Sequence, residues 1–155
     1  MVPDNAMSTL AVDTDKIAVL RRARRVWAIA SVHGEAAQLA QLHGEIAVRF
    51  ERGDRLVYLG NVIGRGGHAL SAIDEVMAFR RAVIGAHGMF ANDVAILRGA
   101  QEEMWQKLLQ LQLALDPASV LEWMLDHGVE ATLEAYGGDP ADGLRAARSG
   151  AAACA

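Results

Sequence analysis

A chain of 155 residues is the size of one domain and long enough to bury a core of its own. Apolar residues make up 52% of it and mean hydropathy is +0.15, which excludes bulk disorder. The formal net charge of -4 excludes a general nucleic-acid binder, and no apolar run approaches the ~20 residues of a membrane helix.

Residues 1–14 mix Pro3, Asp4, Asn5, Asp13 and Thr14 with small residues and read as a flexible segment. They lack the positive region and apolar stretch of a secretory signal. The single cysteine, Cys154, cannot form an internal disulfide, so a reducing, cytoplasmic setting is expected. Arg21, Arg22, Arg24 and Arg25 form a short basic run that reads as a solvated helix face, with an anionic partner as the alternative. Val26-Trp27-Ala28-Ile29-Ala30 suits a strand buried on both faces. Over residues 35–50, Leu39, Leu42, Ile46 and Phe50 recur at helical spacing. Arg52-Gly53-Asp54 then leads into a second strand over Leu56-Val57-Tyr58-Leu59. Leu70, Ile73, Val76, Met77 and Val83 mark the next helix, and Val94-Ala95-Ile96-Leu97 a third strand. A helix carrying Met104, Leu108 and Leu111 follows. Asp116-Pro117 opens another, with Asp as cap and Pro at the first helical position, running to a stop at Gly128. A short helix over residues 130–136 ends at Gly137-Gly138, and residues 143–155 read as an Ala/Gly-rich tail. The order strand-helix-strand-helix-strand-helix predicts an α/β domain over residues 15–142, with parallel strands and a helix-rich C-terminal part.

Ligands of open α/β sheets gather at the carboxyl ends of the strands. Three loop sequences fall at those ends: Ala30-Ser31-Val32-His33-Gly34, Leu59-Gly60-Asn61-Val62-Ile63-Gly64-Arg65-Gly66, and Leu97-Arg98-Gly99-Ala100-Gln101-Glu102. In this order they resemble the signature blocks G-D-x-H-G, G-D-x-x-D-R-G and G-N-H-E of the calcineurin-like metallophosphoesterases. Gly128 to Gly137 is similar to the bacterial serine/threonine-phosphatase branch, so the resemblance spans about Val26 to Gly138. It implies the N-terminal half of the family's two-sheet fold, a hydrolase ancestry and a dinuclear centre of Mn, Fe or Zn.

Carried across residue by residue, the resemblance puts Ser31 where the first block has Asp and retains its metal-binding His as His33. Asn61 stands for the bridging Asp, Ala100 for the Asn ligand, Gln101 for the catalytic His and Gly64 for the Asp that orients it. Arg65 matches the phosphate-clamping Arg. The residues present therefore predict no cofactor, residual metal donors at His33 and Asn61, and a phosphate-bearing ligand at Arg65. Loop glycines 64, 66 and 67 could lend backbone N–H groups to that phosphate; the bland alternative is a solvated loop charge among glycines the turns require. Glu102 and Glu103 are explained by the dipole of the helix they open.

Other motifs are weaker. Gly64-Arg65-Gly66-Gly67-His68-Ala69 fits G-x-G-x-x-A, but no acidic residue ends the next strand. His43, His68, His87 and His127 lack ligand spacing, and surface or helix-end roles suffice for them. The expectation is a catalytically silent binding or assembly module. A weak phosphoester hydrolase and a ligand-free structural homo-oligomer are the alternatives. The absent second sheet would leave one sheet face to be covered by the late helices or by a second copy, so a homo-oligomer is expected, with no nucleic-acid or membrane partner.

Overall fold

The computed structural model describes residues 17–86 and 88–149. The flexible segment expected over residues 1–14, His87 and Cys154 lie outside the described residues. Three short parallel strands, β1 (Val26–Ile29), β2 (Arg55–Tyr58) and β3 (Val94–Ile96), form one sheet in that order. Helices α1 (Ala36–Ala47) and α2 (Ala69–Gly85) make the two crossovers, and α3 (Ala100–Leu108) follows β3. The α/β reading and each strand are found within a residue of where the apolar runs place them.

Strand periodicity divides the sheet into two unlike faces. Trp27, Ile29, Leu56, Tyr58 and Val94 point one way and pack with Leu39 and Ile46 of α1 and Ala72, Val76 and Val83 of α2. On the other face Val26 is 50% exposed and Leu59 48%, while Val57 alone is buried at the sheet centre. No side chain of the later helices joins the cluster over the sheet.

Those later helices build their own small cores beyond the strand ends. They are α3, α4 (Pro117–Met124), α5 (Glu130–Ala135) and α6 (Pro140–Ser149). Met104, Met124 and Val129 form one cluster, and Leu111, Leu121 and Ala147 a second. Asp116 caps α4 as expected, accepting from the Ser119 N–H at 3.1 Å beside Pro117.

Four expectations need correction. Gly128 does not stop its helix: with φ 105° it kinks a π-turn over Leu125–Val129 that leads straight into α5. The residues from Gly143 are not a tail as far as Ser149. Pro140 opens α6, and Leu144 and Ala147 pack on the Leu111 and Leu121 cluster. The arginine run is not a helix face, since Arg21 to Arg25 are irregular. Arg25 instead grips buried Asp54, and Arg24 pairs with Glu51. Finally, His43 is no surface residue. It is 2% exposed, stacked on Phe79 at 4.0 Å between ring centroids.

Candidate functional site

The three near-motif loops meet at the carboxyl ends of the strands, through contacts so close that side chains are excluded between them. A Cβ on Gly60, where φ is 90°, would lie 2.1 Å from the Gly99 nitrogen. The loops after β2 and β3 thus touch backbone to backbone. Val32 and His33 donate to the Asn61 carbonyl at 2.9 and 2.8 Å, which ties the first loop to the second. His33 and Asn61 both have left-handed backbones, with φ 51° and 53°. Asn tolerates that region better than His, so strain sits at the tip of the first loop.

Glu102 is the hub. Its carboxylate accepts from the backbone N–H groups of Asn61, Val62 and Gly99 at 2.8 Å each, with a longer contact to Ile63 N–H at 3.4 Å. Successive N–H groups converging on one anion form a nest, and the anion here is part of the chain. Glu102 also satisfies a donor at the mouth of α3, which has no intrahelical acceptor. The dipole explanation is therefore incomplete: Glu102 crosslinks two loops as well as capping a helix. Its signal in the sequence is the three-residue spacing from Gly99, the N-cap to N3 distance of a capping box.

Asn61 makes the second crosslink. Its Nδ2 donates to Ser31 Oγ at 3.1 Å and its Oδ1 accepts from Gln101 N–H at 3.0 Å. One neutral amide thus bridges all three loops. Gln101 is 6% exposed and donates from Nε2 to the His127 carbonyl at 2.8 Å. Its stem fills the space beside Gly64, where a Cβ would lie 2.7 Å from its Cγ and Cδ. Among the described residues two buried side-chain atoms find no partner, Gln101 Oε1 and His33 Nδ1.

The glycine loop spends two of its three glycine N–H donors within the protein. Gly64 N–H donates to Thr132 Oγ1 at 3.0 Å and Gly66 N–H to the His33 carbonyl at 2.7 Å, so both donors are engaged within the protein. Arg65 is exposed, its stem against Gly128 of the π-turn. The structure thus gathers Ser31, Asn61, Gln101 and Glu102 into one network and leaves Arg65 facing solvent.

A dinuclear centre of divalent cations does not fit this donor set. Such a site needs charged oxygen and imidazole ligands, whereas Asn61 is a neutral amide with both its polar atoms hydrogen-bonded to protein. Among the described residues no three His, Cys, Asp or Glu side chains are grouped to hold a metal ion.

A second polar cluster, unread in the sequence, lies inside the core. His43 Nδ1 is 2.6 Å from Glu75 Oε1 and Nε2 is 2.8 Å from Tyr58 Oη. Neutral His43 satisfies both contacts by donating from Nδ1–H and accepting the tyrosine proton at Nε2. Burial lowers the His43 pKa below its ordinary 6.5, with Glu75 opposing, and burial pushes the Tyr58 phenol up. The signal was present: His43 completes the stripe Leu39-His43-Ile46, all three buried, whereas Leu42 is 40% exposed.

No family profile, no curated protein and no solved structure matches this chain, so its site is read from its own geometry.

Proposed function

We propose that this chain is a degenerate relative of the calcineurin-like metallophosphoesterases, acting as a catalytically silent binding or assembly module. The observation that carries the reading is Glu102 lodged in the nest of Asn61, Val62 and Gly99 N–H groups. In the same loops Asn61 is bonded at both polar atoms. With the Glu102 carboxylate and the Asn61 amide both engaged within the protein, the loops have little left with which to position a nucleophile or a leaving group. Under this reading Gln101 and Gly64 replace the family's His–Asp pair, and their contact packs the loop against α3. Elemental analysis of purified protein tests the proposal: no stoichiometric metal is expected, and two transition-metal equivalents per chain would overturn it. One observation favours residual hydrolysis instead, the buried, unpartnered Nδ1 of His33 on a strained backbone.

The assembly half of the proposal rests on the sheet. Parallel sheets are stable with both faces covered, and here Val26, Ala28 and Leu59 are exposed on one face. At ~25 cal/mol per Å² of apolar surface, a few hundred Å² left wet forgoes several kcal/mol. A second copy offers the same exposed apolar residues and needs no other partner. Light scattering over a dilution series is expected to show a symmetric oligomer that Leu59→Glu dissociates. A wild-type monomer at every concentration would end the assembly reading.

A further inference from the structure

We propose that the outer edge of β3 is a docking groove for an extended acidic peptide, which adds to the sheet as a fourth strand. Leu97 N–H bonds the Tyr58 carbonyl of β2, so by strand alternation the odd residues face β2 and Val94 and Ile96 face outward. The Val94 N–H is taken by the Ala91 carbonyl, which leaves the Ile96 N–H and the Val94 and Ile96 carbonyls as the edge groups an incoming strand can pair. β3 pairs only with β2 among the described strands. Along that edge runs a groove of about 1080 Å³ whose floor follows the chain from Ala91 to Arg98. Val19, Ile96 and Leu97 give it apolar walls, and Arg21, Arg80 and Arg98 give it positive charge against one carboxylate, Glu103. Glu103 is engaged by Arg98 at 3.7 Å, while Arg21 and Arg80 have no ion-pair partner among the described residues. The groove is thus basic on a chain whose net charge is -4.

Those features select the occupant. An unpaired strand edge recognises another backbone in extended form, and alternating side-chain positions give specificity. Apolar residues of the incoming strand meet Ile96 and Val19, and carboxylates on the alternate face meet the arginines. A second copy is disfavoured at this edge, because pairing β3 with itself would bring two sets of the same arginines together. The inference rests on the reading of the chain as a binding module, but it concerns a different surface from the open face carrying Leu59 and from the loop cluster.

The test is fluorescence anisotropy with a labelled peptide alternating valine with aspartate and glutamate, titrated with the full chain at low and high salt. A peptide with lysine in place of the acids is the control. The acidic peptide is expected to bind and to weaken with salt, and the lysine peptide is not. Arg80→Glu should weaken binding about tenfold or more, close to 1.4 kcal/mol. Ile96→Pro removes one outward N–H at an edge position where proline is tolerated, and should weaken binding similarly while leaving the circular dichroism spectrum unchanged. Absence of acidic-peptide binding would overturn the proposal, as would binding indifferent to both variants. So would a wild-type dimer split by Ile96→Pro, which would make a second copy the occupant; a dimer split only by Leu59→Glu belongs to the open face and leaves the proposal standing.

Discussion

The two ends of the sheet each hold a half-buried or buried carboxylate, and the two are neutralised by opposite means. At the amino end Asp54 is 0% exposed and meets mainly side chains, Arg25 Nε at 3.1 Å, Arg25 Nη2 at 2.9 Å and the Trp27 indole at 2.9 Å, with the Glu51 N–H at 3.1 Å besides. Beside it Arg55 pairs with Asp93 at 3.1 Å. At the carboxyl end Glu102 meets only backbone N–H groups. An arginine can be replaced in one mutation, so the amino end is a bracket set by side-chain identity. A nest is made by chain path, so the carboxyl end is an anion site set by the fold, with Glu102 as its resident anion.

Breaking each carboxylate should separate these two designs. Asp54→Ala leaves the Trp27 N–H and the Glu51 N–H without their acceptor and frees a cation beside the core. The expected loss is about 3 kcal/mol in denaturant unfolding, the largest single effect in this set. Glu102→Gln keeps the volume but turns an amide NH₂ toward donors that need an acceptor, for a loss of about 2 kcal/mol. Glu102→Ala in formate should recover part of its lost melting temperature, because a free carboxylate can refill the nest. The equivalent Asp54→Ala experiment should show no such recovery, since its partners are held by a longer, side-chain geometry.

Titration sharpens the comparison through pH. His43 has a folded pKa below its unfolded 6.5, so the unfolded chain binds the extra proton. Its contribution is complete above pH 6.5 and is lost as pH falls below that value toward the folded pKa. For Asp54 burial works to raise the pKa, but the Arg25 and Trp27 hydrogen bonds outweigh it and the net value falls below 3.8. Its contribution holds above pH 3.8 and is lost on further acidification. Thermal melts of wild type should therefore decline in a first step as pH falls below 6.5, and His43→Gln should lack that step. A wild-type melting point constant over the same range would remove His43 from the account.

Arg65 should give the smallest effect. It is exposed on its loop, so Arg65→Ala should move unliganded stability by less than about 0.5 kcal/mol. If Arg65 holds a phosphate-bearing ligand, pyrophosphate should raise the wild-type melting point, less so at high salt, and Arg65→Ala should abolish the shift.

The parts legible in the sequence were those governed by local period. Val26 to Ile29, Leu56 to Tyr58 and Val94 to Ile96 are apolar runs bounded by turn residues, and each became a strand. Convergence of the loops followed from parallel topology alone, and Asn61 does contact both neighbours. What was not legible depends on residues far apart in the chain. Gly64 admits the side chain of Gln101, Glu75 meets His43 across two helices, and Thr132 receives the Gly64 N–H. No periodicity reports such pairs. The α6 helix was missed because alanine and glycine content masked its Pro140 start and the single buried position Ala147.

The central claim is that the loop cluster is closed by its own side chains and performs no phosphoryl chemistry. The direct measurement is hydrolysis of p-nitrophenyl phosphate by the full chain with Mn²⁺ or Ni²⁺ present. The account predicts a rate equal to the enzyme-free control. Turnover well above that control, and lost in His33→Ala, would contradict it.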